Sequence, residues 1–187
     1  MKSKKSEPSE VYQLKITLDG SRPKIWRRIL VKPTTPLSKL HFIIQTAMGW
    51  EGGHMHQFEV QGENYGCTNP EWGDPSVLDE RKLTLAEIAP NVAAFTYEYD
   101  FGDDWQHEIK IEKLIPTEQG KTYPACIAGE RACPPEDCGG IWGYYELLKA
   151  LKNPKHEEHE QMTEWVGEDF DPKHFVPNEI NLSLSRA

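Results

Sequence analysis

Two alternating segments joined by an acidic turn constrain the fold more than any other feature of this chain. Apolar or aromatic residues occupy every second position on both sides of a Gly-Asp-Asp turn at 102–104. Successive side chains of a β-strand point to opposite faces, so this period predicts two strands that each bury one face. The short turn predicts that they form an antiparallel hairpin, with Phe101 and Trp105 anchoring its two ends in the core. The residues expected on the buried face are Phe95, Tyr97, Tyr99, Phe101, Trp105, His107, Ile109 and Ile111.

The same alternation predicts three further strands in the first sixty residues. Apolar and polar side chains alternate over residues 12–18, and residues 25–31 follow a turn and are expected to pair with them. A strand is also predicted for residues 54–60. Its period of two places His54 and His56 on the same face.

Helical spacing replaces the alternation in two segments that carry clear start signals. Apolar residues recur every three or four positions between residues 37 and 48, where Thr35 is placed to cap the helix and Gly49 to end it. Thr84 and Glu87 have the spacing of a capping box, which predicts a short helix that ends before Pro90.

The remaining segments divide into loops and C-terminal helices. Residues 61–81 and 116–140 are rich in turn-forming residues and have no clear period, so both are predicted to be long surface loops. A helix is predicted over residues 142–151, and a second one, capped by Asn153 and Pro154, is predicted to continue through Met162 and end at Gly167. This order indicates an α+β fold, with helices packed against a largely antiparallel, possibly mixed, sheet of about five strands.

The size of the chain favours one domain. At 187 residues it is slightly longer than the commonest domain, and 37% hydrophobic residues with six Trp, seven Tyr and six Phe supply a core. The first residues are small or charged. We therefore expect a disordered tail over residues 1–9 and a single α+β domain over residues 10–187.

Charge and cysteine content narrow the class of protein. No apolar run approaches the ~20 residues of a membrane span, and the N-terminus lacks a secretory pattern, so we expect a cytoplasmic protein with its four cysteines reduced. The net charge is −9, but it divides into +7 over residues 1–48 and −16 over residues 49–187. Such a chain disfavours non-specific binding to phosphate backbones, although a local basic face can still meet a nucleic acid or an acidic protein partner.

Cysteines and histidines supply the candidate metal ligands. Three cysteines fall in one thirteen-residue stretch of the second long loop. Their gaps of seven and five residues differ from the paired C-x-x-C spacing of a zinc ribbon. A mixed Cys/His zinc site is one hypothesis. Buried or unpaired thiols and hydrogen-bonded imidazoles are the alternative. The candidate ligands are Cys126, Cys133, His54, His56 and His107.

Two charged surfaces suggest further roles. The turn carboxylates Asp103 and Asp104, with Asp100 and Glu98 nearby, could bind a hard cation or act as acid and base. The alternative is that they simply form a solvated turn. Trp26, Arg27 and Arg28 belong to a short basic strand with an aromatic residue, a pattern found on surfaces that follow a phosphate backbone. An ordinary solvated strand face explains the same pattern.

The sequence contains no P-loop, dinucleotide fingerprint or nucleophile elbow. We therefore favour a non-catalytic binding or interaction module. The alternatives are a zinc-binding domain or metal-dependent enzyme built on the Cys/His residues, and a nucleic-acid accessory protein of mobile elements. The sequence leaves open whether the protein is an enzyme.

Several longer strings resemble one family, the plasmid Ri third-open-reading-frame-like proteins. They are IWRR at 25–28, LH at 40–41 with AMGW at 47–50, HMHQF at 54–58, YEYDFGDDWQH at 97–107 and GERACPPED at 129–137. The resemblance extends from about residue 12 to 180. Family members are mainly uncharacterised; they occur on plasmids and insertion elements, and some are labelled passenger resolvases. Neither the nucleophilic serine among clustered arginines nor the helix-turn-helix of a serine resolvase can be assigned here.

The resemblance implies a compact α+β fold in which the shared strings lie together, Cys126 and Cys133 included. Cys138 falls where similar proteins need not have cysteine. A metal site implied by the family would therefore use Cys126 and Cys133 with histidines such as His54, His56 or His107.

Overall fold

The computed structural model describes residues 10–68 and 74–186, and this part of the chain contains one eight-stranded sheet. The spatial order of the strands is β5-β4-β3-β6-β7-β1-β2-β8, and every neighbouring pair is antiparallel except β4 with β5. The strands are β1 Glu10–Leu18, β2 Trp26–Val31, β3 His56–Val60, β4 Glu63–Gly66, β5 Leu78–Asp79, β6 Ala94–Tyr99, β7 Trp105–Pro116 and β8 Ala125–Glu130.

Five α-helices accompany the sheet in the same described residues. They are α1 Leu37–Met48, α2 Leu85–Ile88, α3 Gly140–Lys152, α4 His159–Val166 and α5 Pro177–Leu184, with a single 3-10 turn at Glu80–Lys82. None of the helices within 10–68 and 74–186 combines the length and apolar character that crossing a membrane requires. The sheet and the helices together confirm the α+β class, and the sheet is mixed because β4 and β5 are parallel.

The predicted central hairpin is confirmed as β6 and β7. Tyr99 pairs with Trp105, and Tyr97 pairs with His107, which places all four side chains in the buried interior. The prediction that Phe101 anchors the turn in the core is wrong, because 49% of this residue is exposed. The turn is held by polar contacts instead, since Asp100 Oδ1 accepts a hydrogen bond of 3.0 Å from the backbone N–H of Gly102.

The sheet is larger than the predicted five strands because three strands lie in the segments predicted as loops. β4 and β5 fall within residues 61–81, and β8 lies within residues 116–140. β4 and β5 have only four and two residues, too few for a period to show. Their pairing with other strands is a tertiary property that local patterns do not report.

Helix α1 begins and packs nearly as predicted. Its buried residues include Leu37, Leu40 and Ile44, which join the sheet residues in one hydrophobic core. The residue that precedes the helix is Pro36 rather than the expected Thr35, and no side chain caps it. The capping box of Thr84 and Glu87 is present at α2.

Helix α5 covers the edge of the sheet at β8, and no local pattern in the sequence predicts it. The Asn181 side chain accepts a hydrogen bond of 2.7 Å from Cys126 N and donates one of 2.9 Å to Cys126 O. An adjacent strand would make the same pair of contacts. The amide therefore satisfies backbone groups that an edge strand otherwise leaves open to further pairing.

The sequence expectation for residues 1–9 lies outside the described residues.

Candidate functional site

Three segments that are distant in sequence meet at one corner of the sheet. They are the segment after α1 at 50–54, the acidic turn at 100–104 and the loop at 131–139, which we call the Cys-rich loop. Trp50 Nε1 donates to Pro134 O at 3.0 Å, and the backbone N–H of Glu51 donates to Glu136 Oε2 at 3.1 Å. These contacts fix the Cys-rich loop against the segment that follows α1.

The acidic turn is bound to the same loop through the start of α3. Asp103 Oδ2 accepts a hydrogen bond of 3.2 Å from Gly139 N, the residue before α3. A carboxylate at this position satisfies a backbone donor and interacts favourably with the helix dipole. The contact is close, because a Cβ on Gly140 would lie 2.3 Å from Asp103 O. Asp103 therefore acts here as a structural cap.

His54 lies between two carboxylates at this corner. Its Nδ1 is 3.5 Å from Asp100 Oδ2, and its Nε2 is 3.3 Å from Asp137 Oδ1. Ligand atoms of the three residues all lie within 4.8 Å of one another. Among residues 10–68 and 74–186, this is the one set of three or more His, Cys, Asp or Glu residues whose possible ligand atoms come this close together.

His56, two residues later, belongs to a different cluster. Its Nε2 lies 2.8 Å from Glu80 Oε2, and its ring stacks on His41 with 3.5 Å between centroids. His41 Nδ1 contacts the hydroxyl of Tyr97 at 2.7 Å, and Gln45 Nε2 donates to the same hydroxyl at 2.8 Å. Burial, and then the neighbouring His56, lower the pKa of His41 to about 3. His41 is therefore neutral, and its Nδ1 can accept a hydrogen bond from the Tyr97 hydroxyl.

His107 is fully buried on β7. Its Nδ1 lies 3.3 Å from Tyr97 O, and its ring meets Trp50 edge-on with 5.3 Å between centroids. Nε2 has no hydrogen-bond partner among the described residues. Burial lowers the pKa of this imidazole to about 4.

The two cysteine candidates lie near Arg27 rather than near these histidines. Burial raises the pKa of Cys126 and of Cys133, while the positive charge of Arg27 acts in the opposite direction on both thiols. Because burial dominates, the protonated thiol is favoured at both cysteines in the metal-free protein.

The basic strand has a different structure from the one its composition suggests. Arg27 is 3% exposed, and its guanidinium donates to three backbone carbonyls, of Ala47, Trp26 and Glu130, at 2.8, 2.9 and 3.1 Å. Arg28 is partly exposed and forms a two-point contact with Glu112. The guanidinium of Arg28 also lies over the ring of Trp26. Arg27 is thus a structural residue, and nucleic-acid or partner binding by this strand stays a prediction.

The five predicted zinc ligands are therefore distributed among separate environments. Cys126 and Cys133 are near Arg27, His56 pairs with Glu80, and His107 is buried beside Trp50. His54 alone among them joins a described group of possible ligands. Zinc binding by the full Cys/His set stays a prediction.

A groove of about 970 Å³ opens on the outer side of α1. One wall is α1, and the other is formed by residues 121–125 with the end of α5. Sequence reasoning missed this feature because its walls come from distant segments. One local signal existed: Phe42 departs from the buried stripe of α1 and is 61% exposed. The lining residues used below are Phe42, Gln45, Trp50, Gly52, Tyr123 and Leu184.

The buried histidines predict a pH-dependent stability. The unfolded chain binds protons at His41 and His107 below the ordinary pKa of about 6.5, whereas the folded protein does so only near pH 3 and 4. Stability should therefore be complete above pH 6.5 and fall on acidification, with each histidine contributing up to about 1.4 kcal/mol per pH unit.

Urea unfolding between pH 6.5 and 5, above the range where carboxylates titrate, measures this slope. We expect His107→Gln to reduce the slope by about 1 kcal/mol per pH unit. The comparison uses the slope rather than the stability at one pH, so a general loss of stability in the variant does not affect it. An unchanged slope would contradict the assignment.

Comparison with known proteins agrees with this architecture. A family model described as plasmid pRiA4b ORF-3-like protein matches residues 10–179. The chain belongs to the plasmid pRiA4b ORF-3-like family. This confirms the resemblance inferred from the motif strings, and the structure shows that parts of those strings meet at the corner around Trp50 and Glu136.

Two similar proteins extend the comparison. The chain is 42% identical over 166 residues to the uncharacterized protein y4hQ of Sinorhizobium fredii strain NBRC 101917 / NGR234, covering 87% of this chain and 84% of that protein. It also resembles the crystal structure of MM3350 from Methanosarcina mazei Go1, a protein of unknown function. That similarity has a TM-score of 0.85 and 40% identity, and covers 91% of this chain and 97% of the other. The fold of this chain is thus shared nearly end to end with that structure.

Proposed function

We propose that this pRiA4b ORF-3-like protein is a binding module that takes a small organic ligand in the groove beside α1. The observation that carries the proposal is the groove itself, whose volume of about 970 Å³ is at the upper end of the range typical of small-molecule sites. The ligand class follows from the lining.

The walls favour an apolar or aromatic ligand body. Phe42 forms one wall and is 61% exposed, Trp50 lies at the base with 6% exposed, and Tyr123 and Leu184 stand opposite. A ligand that covers Phe42 would remove apolar surface from water at about 25 cal/mol per Å². Aromatic side chains provide this contact at low entropic cost.

Gln45 supplies the polar feature expected of such a site. Its Nε2 is used by Tyr97, and its Oε1 has no partner among the described residues although Gln45 is only 3% exposed. A Cβ on Gly52, which also lines the groove, would be 3.9 Å from this oxygen. An unpaired buried acceptor is costly, so a ligand with an N–H or O–H donor would gain affinity here.

Fluorescence titration with 1-anilinonaphthalene-8-sulfonate tests the proposal. This probe has aromatic rings and an N–H donor, and Lys39 and Lys121 at the groove can accommodate its sulfonate. We expect saturable binding to the native protein, at least tenfold weaker in Phe42→Ala and in Ser38→Trp, which obstructs the groove. Phe42→Ala removes one wall of the groove, and Ser38→Trp fills its space.

Trp142→Ala is the matched control, because Trp142 is also an exposed aromatic residue on a helix but does not line the groove. Its affinity should equal that of the wild type, and circular dichroism should show that all variants are folded. Equal affinity in Ser38→Trp and the wild type, or no saturable binding to the wild type, would overturn the proposal.

A further inference from the structure

We propose that His54, Asp100 and Asp137 form a binding site for a divalent metal ion. This site is independent of the groove and differs from the Cys/His set that the sequence suggested. It takes its ligands from three separate segments, and the contacts described above hold each segment in place.

The spacing of the ligand atoms suits one ion. With metal–ligand bonds of about 2.0–2.2 Å, adjacent ligand atoms are separated by roughly 3.0–3.6 Å and opposite ones by roughly 4.2 Å. His54 Nδ1 lies 3.5 Å from Asp100 Oδ2 and Nε2 lies 3.3 Å from Asp137 Oδ1, and only one of these two nitrogens can bind a given ion. With one ligand atom taken from each residue, the whole group lies within 4.8 Å. Binding one ion therefore requires the ligand atoms to move closer together, which the exposed side chain of Asp137 permits.

The two carboxylates beside the His54 imidazole favour a bound cation. A neutral imidazole has one N–H donor and one lone pair. Each nitrogen of His54 faces a carboxylate oxygen, so in a neutral ring one lone pair would face a negative charge. A bound metal ion replaces this repulsion with two attractive contacts.

The ligands differ in how firmly they are placed. Asp100 is 8% exposed, its Oδ1 is occupied by the N–H of Gly102, and its Oδ2 is directed to His54. The Asp137 side chain is 71% exposed, which leaves the site open to solvent on that side. Three protein ligands with an open side allow water or another molecule to complete the coordination.

The neighbouring groups define which atoms can bind. Glu136 is not available, because its carboxylate already accepts hydrogen bonds from Tyr99 and from the backbone of Glu51. One nitrogen and two carboxylate oxygens favour Mn²⁺, Fe²⁺ or Zn²⁺ over soft, thiolate-seeking ions.

Isothermal titration of the full chain with MnCl₂, after dialysis against a chelator, tests the site. We expect one equivalent of Mn²⁺ to bind, and electron paramagnetic resonance should show the loss of free Mn²⁺ signal at the same stoichiometry. His54→Gln and Asp137→Asn should each weaken binding at least tenfold. Asp137→Asn should also fold normally, because its side chain is mostly exposed.

His174→Gln is the matched control, since His174 forms an exposed contact of 2.6 Å with the single carboxylate of Glu179. Its Mn²⁺ affinity should equal that of the wild type, as should that of Phe42→Ala, whose defect belongs to the groove. No Mn²⁺ binding to the wild type, or binding in His54→Gln and Asp137→Asn as tight as in the wild type, would overturn the metal site.

Discussion

Arg27→Ala is expected to lower the free energy of unfolding by about 4 kcal/mol. The buried guanidinium donates to the backbone carbonyls of Trp26, Ala47 and Glu130, and so connects β2, α1 and the end of β8. Alanine would leave these buried acceptors without donors, each at a cost of about 1–3 kcal/mol, and would open a cavity. Urea unfolding at neutral pH measures the loss.

Two variants separate this explanation from a general effect of charge. Arg27→Lys keeps the charge but lacks the planar fork that reaches several acceptors, so it should remain strongly destabilised. Arg28→Ala removes an arginine that is paired with Glu112 near the surface and should cost less than about 1 kcal/mol. A loss below 1 kcal/mol in Arg27→Ala would show that the carbonyl contacts are not important for stability.

Arg27→Ala and Arg28→Ala also bear on the hypothesis that the basic strand binds nucleic acid. Loss of DNA binding in Arg27→Ala would be explained by unfolding, whereas Arg28→Ala should leave the fold intact. A salt-titrated DNA binding assay with Arg28→Ala is therefore the informative experiment for the basic strand.

Gly143→Ala is expected to destabilise the protein by about 3 kcal/mol, although alanine in a helix interior normally stabilises by about 1 kcal/mol relative to glycine. Gly143 lies in the first turn of α3. A Cβ at this position would be 1.8 Å from Cys138 O and 2.8 Å from Cys138 C, so the Cys-rich loop would have to move. The movement would also disturb the contact between Asp103 and Gly139.

Thermal and urea unfolding of Gly143→Ala and Gly53→Ala provide the comparison. Nothing lies within 4 Å of a Cβ on Gly53, so this control should change stability by no more than about 0.5 kcal/mol. Stabilisation by Gly143→Ala would show that the loop can move away without penalty and that helix propensity dominates.

The local patterns were most informative where one period extended over a whole element. The hairpin of β6 and β7 and helix α1 were predicted because alternating or helical spacing directly reports which face is buried. The same rule could have placed Arg27 correctly. It shares the buried face of β2 with Ile29, and Ile25 just before the strand is buried as well, but the charge of Arg27 led to a surface interpretation.

The candidate metal site shows what local reasoning misses. His54 was singled out as a ligand and Asp100 was noticed as part of an acidic turn, but Asp137 was not connected with either. Their proximity depends on how the Cys-rich loop is bound by Trp50, Glu51 and Tyr99. No spacing within one segment contains that information.

The sequence by itself determined the α+β class, the hairpin around the acidic turn, the first helix and the family. Only the tertiary structure decided that Arg27 is buried, that α5 closes the edge of β8, and that His54 faces two carboxylates. The physical reason is range: periodicity and capping act over a few residues, whereas burial of a charge or convergence of ligands depends on segments that meet only after folding.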